Sequence, residues 1–496
     1  MAAIGFAIHA IFANNYGYFR DELYYIVSGT QHLSPGYVDF PPFIALLASF
    51  LNVVAGDSLL SIHVASGFAD ACLIFVSAMI ARELGGKRGA QVFVATATLF
   101  SGALAFGSIF SVDIFDALWW SLLVYILVRI IKRDQPKLWI LFGLVAGIAL
   151  NTKLTVAFFL ASLAIGLALT QERKQFRTRW LWLGVLIAIA FTLPYAGWNA
   201  ANGWPTVDFY IHHGGLNGTG PLDFIALQFL IANPLAFPLA LLGLYYFFFV
   251  LRKSNGRSFR VLGFAFVILF LAFLLFNGKP YFMFAAYPMM FAGGAVLLEN
   301  SSFTRRHNFI PKAYLGVIVI LGIILAPLLM PILPPATFAT TYGALSGVGN
   351  SAEGQTTSGV FPQYLGDRFG WDTMTAAVAQ VYDSLPPQEK SAACIFTVNY
   401  GEASALTFLG RAYHLPHVIS GHNNYYIWGP GKCTGTVIIT VGESEADDLK
   451  SFYNVSAAGL ITCQYCQPEE NNLTIYVCTN PRAPEAAVWP TVKHFS

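Results

Sequence analysis

Charge is what this chain has least of: Asp, Glu, Lys and Arg supply 11% of its 496 residues, while hydrophobic side chains supply 56%. The shortage holds through residues 1–332 and excludes a soluble globular fold, because a single core has no room for so much apolar surface. Also missing are a long Gly-rich phosphate loop, a heptad pattern, an internal repeat and a basic nucleic-acid patch. Nucleotide-driven chemistry and nucleic-acid partners are therefore without support. Cysteine is sparse too, six in all, and five of them lie at or beyond Cys394.

The class that remains is a polytopic α-helical membrane protein with a second, water-soluble domain. Residues 1–332 carry 13 Asp/Glu against 21 Lys/Arg, whereas residues 333–496 carry 13 against 7 and are rich in Pro, Gly and Asn turns. In the second part, β-rich runs at 393–398, 417–420, 436–441 and 474–478 are separated by helical stretches such as 371–385 and 443–453. That alternation predicts a small α/β layer fold with Asn399-Tyr400-Gly401-Glu402 at a strand end, where such sheets commonly place ligand groups. It serves there as an acceptor or sugar site, or as a rigid lid.

Positive charge sets the topology. Of the 21 basic residues in the first part, 18 fall in five clusters: Arg82/Lys87/Arg88, Arg129/Lys132/Arg133/Lys137, Arg173/Lys174/Arg177/Arg179, Arg252/Lys253/Arg257/Arg260 and Arg305/Arg306/Lys312. Short loops rich in Lys and Arg mark the cytoplasmic side. Residues 41–56, opened by Pro41-Pro42 and closed by Gly56-Asp57, fall short of the roughly 20 residues that a crossing helix needs. They read as an interfacial or re-entrant helix within a first external loop at 15–57. The count is then about eleven crossing helices, with the amino terminus inside and the carboxy-terminal domain outside. The opening segment has no basic flank and no small-residue cleavage pattern, so it is expected to stay attached.

On this topology the outer face collects the charges that the chain otherwise avoids. It carries Arg20, Asp21 and Glu22 in Tyr18-Phe19-Arg20-Asp21-Glu22-Leu23-Tyr24-Tyr25, then Asp39 in Gly36-Tyr37-Val38-Asp39-Phe40-Pro41-Pro42. Asp113 and Asp116, Lys153 in Asn151-Thr152-Lys153, the loop 198–222 with His212-His213, and Lys279 in Gly278-Lys279-Pro280-Tyr281 follow. Ionisable groups held at a membrane are costly and mark function by default. Each also has a structural reading. Asp21 pairs with Arg20, Asp39 caps the helix at 41–56, Asp113 and Asp116 begin a helix as cap and first-turn acid, and Lys279 snorkels. Asp70, inside the second span with His63 on nearly the same helix face, is either functional or paired with a neighbouring helix.

Taken in order, Asp21-Glu22-x-x-Tyr25, Gly36-Tyr37-Val38-Asp39-Phe40-Pro41-Pro42, the Asp113 region and Gly278-Lys279-Pro280-Tyr281 with Tyr287-Pro288 resemble the bacterial polyprenyl-phosphate-dependent glycosyltransferases of the GT-C superfamily, glycosyltransferase family 39. That family includes the protein O-mannosyltransferases and is related to enzymes that add aminoarabinose to lipid A. The resemblance covers most of residues 10–300. Arg368-Phe369-Gly370-Trp371, Asn399-Tyr400-Gly401-Glu402-Ala403 and Ser420-Gly421-His422-Asn423-Asn424 also look like segments of bacterial members. One departure stands out: the lipid A branch usually has Lys directly before its Pro-Pro, where this chain has Phe40. That counts against a close match to aminoarabinose transfer.

The resemblance implies an inverting transfer of a sugar, a mannose-like hexose favoured, from a polyprenyl-phosphate donor to a hydroxyl of a lipid, glycan or protein acceptor. It implies a bacterial plasma membrane with the carboxy-terminal domain extracytoplasmic. Asp21 falls where the family has its base, and Glu22 orients a loop or the acceptor. Lys279, with Arg20 or Lys153 as helpers, neutralises the departing phosphate, and Tyr24, Tyr25 and Tyr281 line the sugar or lipid site. Asp39, Asp113 and Asp116 form a secondary acidic or acceptor group. No cofactor is certain, but His212 and His213 beside Asp208 are candidate ligands, with Asp39 or Asp113, for a divalent metal.

Two rivals come from other classes. A transporter or flippase of polyprenyl-linked sugar also has many helices with buried polar groups, yet such folds commonly show paired half-repeats, and none is visible here. An anchored glycan sensor leaves the ordered outer motifs unexplained. The late cysteines agree with an outer location, where disulfides persist. Cys463-x-x-Cys466, with no second such pair, reads as a disulfide within that cluster rather than a zinc site.

Overall fold

The computed structural model describes residues 1–212, 220–250, 259–307, 309–347 and 359–496. Arg252, Lys253, Arg257 and His213 lie outside these residues. Among the described residues five helices, Leu59–Glu83, Val112–Arg133, Arg179–Ala201, Pro280–Asn300 and Phe309–Leu329, are long and apolar enough to cross a membrane. Ala2–Phe12, Leu138–Leu150, Pro221–Ile231, Phe237–Val250 and Arg260–Leu275 are shorter and apolar, and Thr155–Ala168 turns by 110° into Gln171–Arg177.

Local chemistry sets the ends of the long helices. Ser58 Oγ accepts the Ser61 N–H at 3.3 Å to open Leu59–Glu83. Ser111 Oγ accepts the Asp113 N–H at 3.3 Å to open Val112–Arg133, so Ser111 is the cap and Asp113 the first-turn acid. Small residues let helices touch. A Cβ on Gly143 would stand 2.1 Å from the Gly184 oxygen, so Leu138–Leu150 and Arg179–Ala201 meet backbone to backbone.

Polar contacts sort the two ends of the bundle. At one end Glu83 pairs with Lys132 at 3.2 Å and Arg133 at 2.5 Å. Glu299 accepts the N–H groups of Lys87 and Ala90 at 2.5 and 3.1 Å, and Trp139 donates to Gln175 Oε1 at 3.1 Å. These contacts gather three of the basic clusters and the residue range just before a fourth. Asp21, Asp39, Asp113 and Lys153 sit at the other end, under the carboxy-terminal sheet domain.

Between the first two bundle helices lie Arg20–Gln31 and Phe43–Ala55. Phe43–Ala55 falls within the expected 41–56 and buries Ile44, Ala45 and Ala48 against the preceding helix at Gly29, while Leu46, Phe50, Val53 and Val54 stay exposed. Its N-cap is Pro42 with no side-chain cap, so Asp39 does not cap it. Asp39 is turned instead toward Tyr24 and the sheet domain.

The sheet has strands β1 (Ala393–Thr397), β2 (Val418–Ser420), β3 (Val437–Val441), β4 (Phe452–Ile461) and β5 (Leu473–Pro481) in the order β2-β1-β3-β5-β4. The pairs β1–β2 and β1–β3 are parallel, whereas β3–β5 and β5–β4 are antiparallel. The expected helix at 443–453 is shorter, Glu445–Ser451, and the edge strand β4 follows at once. Ser444 Oγ caps that helix, and the acids Glu445, Asp447 and Asp448 stabilise its first turn.

Cys394 and Cys433 form a disulfide that ties the start of β1 to the approach to β3. The bridge expected within Cys463-x-x-Cys466 is not formed: both are free thiols, and Cys463 Sγ accepts the Cys466 N–H at 3.1 Å.

Candidate active site

Arg20–Gln31 starts with a capping interaction that also anchors the site. Glu22 Oε2 accepts the Phe19 N–H at 2.8 Å, closing the first turn. Its Oε1 accepts the Phe110 N–H at 2.7 Å and stands 2.8 Å from His63 Nε2, while His63 Nδ1 stands 2.5 Å from the Ala13 oxygen. Glu22 is fully buried and joins three chain segments. It orients the Phe110 loop that leads into Asp113.

One residue earlier, Asp21 turns toward a different set of groups. Its Oδ1 accepts the Tyr400 hydroxyl at 2.7 Å and lies 3.9 Å from Arg20 Nε. Burial raises the Asp21 pKa above the usual carboxylate range, against the pull of Arg20 and the Tyr400 hydrogen bond. The Arg20 guanidinium reaches Asp367 of the sheet domain at 3.4 Å.

Asp39 accepts from the Tyr24 hydroxyl, from Asn424 Nδ2 and from Asn423 Nδ2, each at 3.2 Å. Burial nevertheless pushes its pKa up to about 7. Tyr24 stacks on Tyr400 with centroids 4.6 Å apart and on Tyr25 at 6.3 Å. Phe40, where the lipid A branch has Lys, is buried edge-on to Tyr24 and Tyr25 at 5.4 and 4.9 Å.

The third acidic segment brings a cation with it. Lys153 Nζ lies 2.5 Å from Asp113 Oδ1 and sits over the rings of Tyr281 and Phe282 at 4.9 and 4.7 Å. Asp116 lies deeper, accepting from Thr155 Oγ1 at 3.1 Å. Lys279 precedes the turn Pro280–Ala286, and its charge acts on Asp21. The structure thus gathers Asp21, Asp39, Asp113, Lys153, Lys279, Tyr24, Tyr25 and Tyr281 at one end of the bundle, and commits Arg20 to Asp367.

Asp70 pairs with His9 of the first helix at 3.0 Å rather than with His63. Asp208, expected beside the two histidines, forms an ion pair with Lys493 at 3.1 Å. His212 ends the helix Pro205–His212. No group of three His, Cys, Asp or Glu side chains converges as a metal site among the described residues.

Sequence reasoning left the partners of these carboxylates unassigned. Tyr400, Asn423 and Asn424 lie in motifs singled out along the chain, but nothing local says that they meet residues almost 400 positions away. Arg368 is of the same kind: its Nη2 donates to the Ser108 oxygen at 2.7 Å and to Ser108 Oγ at 3.0 Å, docking the sheet domain beside the Glu22 loop.

A family model described as dolichyl-phosphate-mannose-protein mannosyltransferase matches residues 39–198. A lipid A galacturonosyltransferase, RgtD, of Rhizobium johnstonii is 24% identical over 274 residues, which are 52% of this chain and 55% of that protein. The chain therefore spans about half the length of the curated relative that it matches. The crystal structure of ArnT from Cupriavidus metallidurans in the apo state shares the fold with a TM-score of 0.62 at 14% identity, over 95% of this chain and 96% of that one. The same protein bound to undecaprenyl phosphate gives 0.60 at 14% identity, over 96% and 97%. The chain thus has the fold of the ArnT structures, and within it residues 39–198 are similar to the mannosyltransferase family model.

Proposed function

We propose that the protein transfers a sugar from a polyprenyl-phosphate donor to an acceptor hydroxyl, with inversion, at the end of the bundle where Asp21, Asp39 and Asp113 gather. The observation that carries this reading is the gathering of a half-buried carboxylate, Asp21, with the charge of Lys279 and with Asp113, which is paired to Lys153 at 2.5 Å. Asp21 takes the acceptor proton as its oxygen attacks the anomeric carbon, and the bond from that carbon to the phosphate oxygen breaks on the opposite face. The polyprenyl phosphate leaves with the electron pair. Lys279 and Lys153 face that growing charge, where fixed cations stabilise the transition state most. The stack of Tyr24 and Tyr25 with Tyr281 lines the sugar and lipid approach, and Asp39 and Asp113 hold the acceptor side, with Asp116 behind them.

In this reading residues 1–332 are the transmembrane catalytic domain of about eleven helices, and 333–496 are an extracytoplasmic domain in a bacterial inner membrane. The gathering of basic clusters at the end opposite the carboxylates supports that orientation. The acceptor is a lipid, glycan or protein hydroxyl, and a mannose-like hexose is the favoured sugar.

The test is sugar transfer in proteoliposomes, with labelled polyprenyl-phosphate mannose and other polyprenyl-phosphate sugars as donors and an envelope extract as acceptor. Asp21→Asn should lower the rate by about 10²- to 10⁴-fold, the usual contribution of a positioned base. Equal rates would remove Asp21 from that role. Passage of labelled donor across the bilayer without transfer would replace the enzyme by a flippase.

A further inference from the structure

The sheet domain presents a particular edge to the carboxylates. The connection from β1 leads to β2 on one side, and the chain then crosses back over β1 to β3 on the other. Strand ends at such a switch in direction are where open α/β sheets hold their ligands. Here Tyr400 follows the carboxyl end of β1 and touches Asp21, while Asn423 and Asn424 follow β2 and touch Asp39. The edge that usually takes a ligand is occupied by the carboxylates of the bundle.

Tyr400 is held rigidly. Asn399 Oδ1 accepts the Glu402 N–H at 2.9 Å, and Glu402 Oε2 accepts the N–H groups of Val398 and Asn399 at 3.1 and 3.4 Å, fixing the first turn of Tyr400–Phe408. The Tyr400 N–H donates to His422 Nδ1 at 3.3 Å, and its ring stacks on Tyr24 and lies 5.7 Å from the Arg20 guanidinium. This scaffold aims the hydroxyl at Oδ1 of Asp21, so among the described residues Oδ2 is the oxygen left for the acceptor.

We propose that Tyr400 is a positioning residue for transfer: its hydroxyl holds Asp21 Oδ1 so that Oδ2 faces the acceptor hydroxyl, making the sheet domain a part of the active site. The proposal rests on the reading of Asp21 as base. Besides Tyr400, the charged and titratable groups around Asp21 are Arg20 and Tyr25 of its own helix, Asp39, Asp113 with its partner Lys153, Lys279 and Asp367. The Tyr400 hydrogen bond favours ionised Asp21, so its removal moves Asp21 toward protonation at a given pH.

The experiment compares wild type, Tyr400→Phe and Asp21→Asn in the proteoliposome assay from pH 5 to 9, with thermal melting of each purified protein. Tyr400→Phe keeps the ring stack and loses only the hydroxyl. The expected result is a kcat about 10- to 100-fold lower, an acid limb displaced to higher pH, and an unchanged donor KM and melting temperature. Tyr400→Phe at wild-type rate and profile, with Asp21→Asn inactive, overturns the role of Tyr400 and leaves the base in place. A lowered rate with an unmoved acid limb and a lower melting temperature overturns it too, reducing Tyr400 to a docking contact. Asp21→Asn at wild-type rate sinks both readings.

Discussion

Glu22 and Asp21 are neighbours with different surroundings. Glu22 is enclosed by the N–H groups of Phe19 and Phe110 and by His63, all within 2.8 Å, and is fully buried, so a substrate does not reach its oxygens. Replacing it with Ala strands those buried donors, and each unsatisfied group costs about 1–3 kcal/mol. Glu22→Ala is therefore expected to lower the melting temperature in detergent and to slow transfer by freeing the Phe110 loop, whereas Asp21→Asn slows transfer at little cost in stability. Melting curves of the two variants side by side check the division. The two acids were legible as a pair because charge is rare in this chain, and Asp21 was distinguished from Glu22 only by a resemblance. Their separate roles depend on His63, Phe110 and Tyr400, which are 41, 88 and 379 positions from them, and no local pattern reports contacts at that range.

Among the elements, periodicity and punctuation gave away most of the architecture. Pro41-Pro42 and Gly56 bracket Phe43–Ala55, and strands β1, β2, β3 and β5 fall on the apolar runs read in the sequence. Strand β4 escaped because Ser, Ala and Gly fill most of its middle and its residues are largely exposed, so it shows no apolar alternation. Cysteine counting reached the right domain and the wrong pair, since spacing cannot report that Cys394 and Cys433 face each other across the start of the sheet. That bridge closes 39 residues of chain and should contribute about 2–4 kcal/mol. Cys394→Ser, or reduction of the wild type, is expected to lower the unfolding midpoint of the sheet domain, read by denaturant titration followed at its tryptophans.

For the whole molecule, the junction between bundle and sheet domain is built from acids that resist ionisation. Burial pushes the pKa values of Asp39 and Glu470 up to about 7 and that of Asp367 to about 6. Their ordinary values lie near 4. The native state thus binds more protons than the unfolded state between about pH 4 and pH 7, and stability falls as pH rises across that window. A melting temperature lower by a few degrees at pH 8 than at pH 5 is the expected outcome, and a rise over the same interval would contradict it. In the proposed function transfer runs the other way, because there Asp21 has to lose its proton to act as base. Docking and catalysis therefore pull the working pH in opposite directions.

The exposed side chains Leu46, Phe50, Val53 and Val54 of Phe43–Ala55 also act as a depth gauge. A helix seated in the interface sinks its apolar face about 5–10 Å into the boundary between headgroups and acyl chains. Asp39 precedes that helix by four residues and is tied through Tyr24 to the helix that carries Asp21. With that helix in the interface, the proposed function requires the reacting hydroxyl to arrive at headgroup height. An acceptor anchored in the outer leaflet meets that requirement by diffusing in two dimensions, whereas a free acceptor in the aqueous phase has to thread down between the sheet domain and the lipid surface.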